Sequence, residues 1–377
     1  MSFEKGDFMK KQLVLGLGLA IIASPAFASK ARLQALGEAT DGSFYINDNR
    51  NIFLNSAQVN NHKDLVTMEW GTGSGVEGAD NAPNAEGGIY KSHNNMTYGL
   101  QLGRGQTFNT LAETVAAGAF DASNALDLFV GGDAGFKWGA NVSYATANNK
   151  TATAKEDATV LDVNLGAIFG DFTAYVNYGA MGDSQNKLGV TPYKIERKNA
   201  LEVGGSYQMN EYTIFGQYAM ADYENKKGAK NDTDVTSYLV GVGRNAKLND
   251  KTTLFTKIQY SSNEQKTKPA TASYLDNQQV PVTVGLEYDA ASWVAIRGSV
   301  AQNIWSTEKF GAAKSERTVA NSTNVNAGAT LKFGDLALDG VIGTNNNTTQ
   351  AIDTTTTEKG ILSLDNLMTR VALTYKF

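Results

Sequence analysis

The chain has 377 residues, 33 basic against 38 acidic side chains for a net charge of −5, 42% hydrophobic residues and no cysteine. Without cysteine there is no disulfide scaffold, thiolate metal centre or cysteine nucleophile, and a mildly acidic balance excludes a nucleic-acid binder, which needs a basic footprint. The mean hydropathy of −0.30 excludes a bundle of membrane helices, and the 10% aromatic content argues against disorder.

The one extended apolar run lies at the start. Lys10 and Lys11 precede an apolar stretch over 13–23, and Pro25-Ala26-Phe27-Ala28 closes on an A-x-A cleavage site. Residues 1–28 therefore read as a cleaved secretory signal peptide, since the run is too short to span a bilayer. Met9, directly before the basic pair, reads as the natural start. Taking the 28-residue leader, with its three lysines and two acids, from 377 residues leaves 349 and a net charge of −6. Residues 29–63 carry Tyr45, Ile46, Ile52, Phe53 and Leu54 among polar groups, with no clear strand.

From residue 64 to 377 the dominant signal is period two. Phe136, Trp138, Ala140, Val142 and Tyr144 alternate with polar or small residues, as do Leu161, Val163, Leu165, Ala167 and Phe169. Val280, Val282, Val284, Leu286 and Tyr288, and then Val325, Ala327, Ala329, Leu331 and Phe333, repeat the pattern. Only residues 110–119 show a helical period. Short links near 92–95, 131–135, 170–171, 210–211, 244–251, 289–292 and 334–335 alternate with longer polar stretches at 71–86, 104–123, 147–156, 181–198, 223–231, 261–279, 303–322 and 343–363. This predicts an all-β fold, a transmembrane antiparallel up-and-down barrel of about sixteen strands (range ~14–18), each of about ten residues tilted across a bilayer. A soluble sandwich has no reason to sort its connections by length. If the short turns face the periplasm, Phe136, Phe169, Phe172, Tyr207, Tyr212, Tyr288, Trp293 and Phe333 form one interfacial girdle, and Tyr144, Tyr178, Tyr218 and Tyr260 the other. Pro83, Pro192 and Pro269 fall in long loops, and Pro281 is expected to open a strand.

The last residues alternate through Val371, Leu373 and Tyr375 to a terminal Phe377. This resembles the closing-strand signal of Gram-negative outer-membrane barrels, read by the barrel-assembly machinery. With the leader and the alternation it makes the chain similar to the porin superfamily, over residues 64–377 as architecture. The resemblance implies an outer-membrane location, contact with lipid and lipopolysaccharide, periplasmic chaperones during export, and a homotrimer as one assembly it allows. Asn55-Ser56-Ala57 is also similar to the N-terminal segment of outer-membrane transporters for hydrophobic compounds. Residues 29–63 are then a periplasmic segment that plugs the barrel or adds a strand.

If the apolar parity faces lipid, the other parity faces the lumen. It carries Glu69, Asp127, Asp162, Glu202, Glu287 and Asp339 against Lys137, Lys257, Arg297, Lys332, Arg370 and Lys376, expected to line the pore together with Asn, Ser, Thr and Gln. Balanced charges predict weak ion selectivity. The register also predicts that Val284→Arg impairs assembly while Thr283→Arg, facing inward, leaves it intact. Residues 110–119 are expected to fold either into the mouth or on the solvent side. Gly73-Ser74-Gly75-Val76-Glu77-Gly78 fits a nucleotide fingerprint but lacks the flanking strand and helix, and reads as a flexible loop. His62 and His93 stand apart from any nucleophile, so no enzyme, catalytic residue, cofactor or metal site is implied. The acids at 222, 224, 232 and 234 read as solvated loop residues. The polar inward parity favours a porin for passive diffusion of small polar solutes and ions. A transporter of hydrophobic compounds and a non-conducting structural or adhesive barrel are the alternatives.

Overall fold

The computed structural model describes residues 29–72, 85–105, 122, 124–151, 155–187, 192–227, 232–268, 274–318, 323–344 and 367–377. The expected leader, the helix at 110–119 and the glycine-rich stretch at 73–78 lie outside these residues. The strands are β1 (Leu65–Thr72), β2 (Glu86–His93), β3 (Met96–Arg104), β4 (Ala125–Asp133), β5 (Lys137–Lys150), β6 (Lys155–Phe169), β7 (Phe172–Asn186), β8 (Tyr193–Met209) and β9 (Tyr212–Lys227). They continue as β10 (Asp232–Asn249), β11 (Thr252–Lys268), β12 (Tyr274–Ala291), β13 (Val294–Phe310), β14 (Ser315–Thr318), β15 (Thr323–Phe333), β16 (Leu336–Thr344) and β17 (Leu367–Lys376). Successive strands pair antiparallel, β13 bonding to both β14 and β15, and β1 pairs with both β2 and β17, so the sheet closes. Because β14 and β15 both pair with β13, they share one place in the wall. The result is a closed barrel of sixteen strands.

The period-two pattern sorts as read. Val142, Leu165, Val176, Val240, Val284 and Val300 are exposed on the outer face. Their neighbours Asn141, Ser143, Asn164, Thr283 and Ser299 are buried inside. A closed sheet leaves no unpaired edge, which a bilayer would penalise heavily. The seven tight turns gather at one end, hereafter the turn end. At Asn94 and Asn95 both residues take left-handed backbone, φ 48° and 63°, as a two-residue hairpin whose twist matches its strands requires. Phe169, Phe172, Tyr207, Tyr212, Trp293 and Phe333 ring the outside near that end, and Tyr144, Tyr178 and Tyr218 ring it near the other. Within these belts Phe136 stacks on Phe169 at 4.5 Å and Tyr260 on Trp305 at 6.3 Å.

Two expectations need correction. From β5 to β13 the strands hold 14 to 18 residues rather than about ten, because stretches read as loops continue the ladder beyond the lipid belt. Those extensions reverse the lipid-belt pattern: Lys194, Glu196, Asp222 and Asp234 face outward, while Val160, Ile195, Tyr223 and Val235 are buried inside. The acids assigned to loops sit on these extensions: Asp222 accepts from Asn199 Nδ2 at 2.8 Å, and Asp234 pairs with Lys268. Likewise, Pro281 lies inside β12 rather than at its start, at a register shift between Val280 and Pro281. A bulge tolerates a residue without a donor N–H.

Residues 29–63 add no strand. They lie inside the bore as α1 (Lys30–Ala35), α2 (Asn51–Leu54) and a 3-10 helix (Ser56–Asn60). The segment spans the lumen: α1 packs on β13, β15, β16 and β17, and the 3-10 helix on β3, β4, β5 and β6. Six residues are far too few for a stable isolated helix, so packing holds it. Leu33, Leu36, Tyr45 and Ile46 bury against Phe255, while Ile52 and Val59 bury with Leu65, Tyr90 and Phe129. Each such burial is worth roughly 1.5–3 kcal/mol. The wall is cut away to admit the backbone: a Cβ on Gly139 would lie 2.3 Å from Ser56 O.

Candidate functional site

The site is the lumen with the segment inside it. Ser29 caps α1, its Oγ accepting from Arg32 N at 3.0 Å and donating to Asp339 at 3.0 Å. Arg32 donates to Glu287 at 3.0 Å and to Asp48 at 3.1 Å, and Glu287 also accepts from Arg297 at 2.9 Å. Arg297 reaches Asp339 at 3.2 Å and Thr330 at 2.6 Å. On the adjoining strands β1 and β2, Glu69 and Glu86 meet Arg50, 2% exposed, which pairs with Glu86, with Glu69 at 3.6 Å and with Asp41 of the segment at 3.0 Å. Lys30 adds a 2.5 Å contact to Glu86, and its backbone N–H donates to Glu69 at 2.9 Å. Lys257 pairs with Glu38 at 2.6 Å and Lys137 donates to Asn61 at 2.5 Å. At the other junction Asn55 caps the 3-10 helix, accepting from Ala57 N at 3.0 Å and donating to Ala174 O at 3.1 Å, while Asn164 accepts from Ser56 N at 3.1 Å.

Glu69, Lys137, Lys257, Glu287, Arg297 and Asp339 thus bind the N-terminal segment or brace the residues that do. Asp127 pairs with Arg104 at 2.9 Å and Asp162 with Arg197, both nearer the loop end. Glu202 faces open space inside the barrel. Lys332 donates to Asp289 at 3.1 Å near the turns, Arg370 is half-buried opposite Gly71, and Lys376 is exposed at the end of β17. Val371, Leu373 and Tyr375 lie on the outer face of the closing strand, and Phe377 N donates to Asp64 O at 3.0 Å. His93 is exposed beside the Asn94 turn, and His62 precedes β1.

Burial shapes the ionisation of the segment itself. It lifts the Asp48 carboxyl to about 6 despite Arg32 beside it. It also lowers the His62 imidazole to about 4, helped by the nearby charges of Arg32, Lys137 and Lys376. Both groups favour the uncharged form that a dry site prefers.

Thr283 corrects a further expectation. It is 2% exposed and lies under the segment, where a Cβ on Gly37 would come within 2.7 Å of its Cγ2. An arginine there would collide with the segment instead of entering free lumen.

Two cavities flank the segment along β6–β9. One, of about 400 Å³, is nearer the turns and is lined by Ser43, Asn55, Thr173, Ser206, Gln208 and Thr213 among others. The second, of about 320 Å³, is nearer the loops and is lined by Arg104, Asn164, Asn177, Glu202, Gln217 and Asn263 among others. Their walls present hydroxyls, amides and paired charges.

A family model described as Gram-negative porin matches residues 34–268. The chain belongs to that family. This porin therefore sits in the outer membrane, with its exposed apolar belt against lipid, and forms an outer-membrane channel. No curated protein matches it. Among solved structures, a toluene transporter of Ralstonia pickettii is 13% identical, with a TM-score of 0.39 over 94% of this chain and 100% of that one. A porin structure is 12% identical, TM-score 0.39, covering 83% and 99%. An outer-membrane protein of Vibrio cholerae is 12% identical, TM-score 0.32, covering 83% and 97%.

The residues that sequence reading passed over in this porin are Arg32, Arg50, Glu38 and Asp48 in the segment and Tyr90, Phe129, Tyr175, Phe215 and Phe255 in the wall. The wall aromatics did leave a mark. Leu128-Phe129, Ile214-Phe215 and Leu254-Phe255 are apolar doublets that break the alternation and put an aromatic on the polar face.

Proposed function

We propose that the porin passes small polar solutes and ions by passive diffusion along the β6–β9 wall, beside the N-terminal segment. One observation carries this reading: polar-lined cavities lie on both sides of the segment along the same four strands. The inward charges set ion preference, and because acids and bases are paired the preference is weak. Transport of apolar compounds is the second reading, favoured by the filled bore. It is disfavoured by the lining, in which Asn, Ser, Thr and Gln outnumber apolar side chains. The test is to refold residues 29–377 in detergent and record single channels in a planar bilayer under a salt gradient. Stepwise conductance with a small reversal potential is expected. A folded, heat-modifiable barrel that stays silent, or that takes up apolar solutes in preference to polar ones, refutes the reading.

A further inference from the structure

The two cavities are stacked along shared strands, so the inward side chains between them identify what separates them. On β7 the inward series runs Thr173, Tyr175, Asn177: Thr173 and Tyr175 line the turn-side cavity and Asn177 the loop-side one. On β8 it runs Ser206, Gly204, Glu202, and on β9 Thr213, Phe215, Gln217, with the first of each lining the turn-side cavity and the last the loop-side one. One inward position on each strand, Tyr175, Gly204 and Phe215, therefore marks the dividing step, and on β8 and β9 the flanking lining residues stand about 13 Å of chain apart.

That step is aromatic. Tyr175 and Phe215 are each 3% exposed. Both lie flat on glycines: a Cβ on Gly204 would fall 2.5 Å from the Tyr175 ring, and one on Gly241 2.5 Å from the Phe215 ring. The third ring comes from the N-terminal segment. Phe44 stacks on Phe215 with centroids 4.9 Å apart and planes 4° apart, and stands 6.4 Å from Tyr175. Unlike the other two, Phe44 is only half-buried and is carried by an irregular stretch between α1 and α2.

We propose that Phe44, Tyr175 and Phe215 are the specificity-determining gate of the channel. They form one aromatic layer between two polar vestibules, with Phe44 as its movable leaf, and this layer sets the size limit for solutes. The proposal rests on the polar-solute reading above.

Because the chain has no cysteine, single thiols can be placed on either side of the layer in the full-length protein. A bulky charged thiol reagent is applied from one side at a time to Gln217→Cys and Thr213→Cys channels. Gln217→Cys is expected to react from the loop side only and Thr213→Cys from the turn side only. Adding Phe44→Ala is expected to abolish that sidedness and to raise conductance about twofold or more, as opening the narrowest point of a pore should. Reaction of both thiols from both sides without Phe44→Ala overturns the gate, as does sidedness that survives Phe44→Ala. Val59→Ala, which loosens the segment at the 3-10 helix in a separate buried cluster with Leu65, Tyr90 and Phe129, separates gating from undocking: an equal loss of sidedness there also overturns the gate. If labelling is sided but leaves conductance untouched at both positions, the layer stands as a septum and the diffusion path along this wall fails instead.

Discussion

Arg50→Met removes the guanidinium that ties the segment to the wall while keeping an apolar stem of similar length. In the native protein that group reaches Glu86, Glu69 at 3.6 Å and Asp41 at 3.0 Å, donates to Thr40 O at 2.8 Å, and covers the Phe53 ring at 4.2 Å. Glu69 and Glu86 are 4% and 6% exposed, so neither can recover water when its partner leaves. Removing one member of a buried pair costs about 3–5 kcal/mol, because the remaining charge is stranded. Here the lower end applies: the Lys30 ammonium stays 2.5 Å from Glu86 and its N–H 2.9 Å from Glu69. About 3 kcal/mol shifts the docked-to-undocked ratio of the segment roughly 10²-fold. Hydrogen exchange across residues 29–63 should accelerate by that factor, while exchange in β10–β13, which the change does not touch, stays put. Single-channel records should show added openings. The double variant Arg50→Met/Glu69→Gln leaves Glu86 paired with Lys30, strands neither buried carboxylate and should recover most of the protection. Unchanged exchange in Arg50→Met, or a double variant no better protected than the single one, would refute the electrostatic account of docking.

Val284, 47% exposed on the outer face, should not accept arginine: Val284→Arg is expected to cost roughly 2–4 kcal/mol near the bilayer midplane and to lower the heat-modifiable fraction on refolding. Gln217→Arg, facing a cavity, should fold normally and change reversal potential; equal folding losses in the two would contradict the register. Acidification acts on the segment through two groups of opposite sign. His62, held at about 4 against an ordinary 6.5, is neutral when docked, so its contribution is complete above pH 6.5 and is lost as pH falls toward 4. Asp48, raised to about 6 from 3.8, takes up a proton more readily when docked, so its contribution is complete below 3.8 and is lost as pH rises through 6. His62→Gln leaves only the second slope, and its segment should resist protease better at pH 5 than at pH 7. Cleavage that is faster at pH 5 in that variant would show that another group governs the response.

The barrel was legible because lipid enforces one rule on every strand. Wherever Val142, Leu165 or Val284 meets the bilayer, its neighbours must turn inward, and seven turns sort from the longer connections. The tops of β5–β13 were not legible, since above the lipid the pattern inverts: polar residues face out, and Ile195, Tyr223 and Val235 pack together inside. The interior was half legible. Parity placed Glu69, Asp127, Glu287, Arg297 and Asp339 on the inner face, but parity says nothing about what an inward charge meets. Arg50 and Lys30 lie 36 and 56 residues from Glu86, and Arg32 lies 255 from Glu287, in segment contacts that no local period encodes. Phe129, Phe215 and Phe255 were readable as breaks in alternation. Each is apolar on the polar face because a segment of the same chain, rather than water, covers it.

The segment's anchors lie at opposite ends of the chain. Ser29 bonds to Asp339 and Arg32 to Glu287, 310 and 255 residues away, while β1, which leaves the segment directly, is zipped to β17 from Leu65–Lys376 to Thr72–Thr369. The first part of the chain to be exported therefore cannot reach its seat until the last strands have arrived. Filling of the bore and sealing of the seam must fall late in biogenesis and close together in time, as non-local contacts of such separation form slowly. An intermediate stalled before β15 would be open both at its side and along its axis, with residues 29–63 still loose. Quality control could recognise such a precursor by that loose end alone.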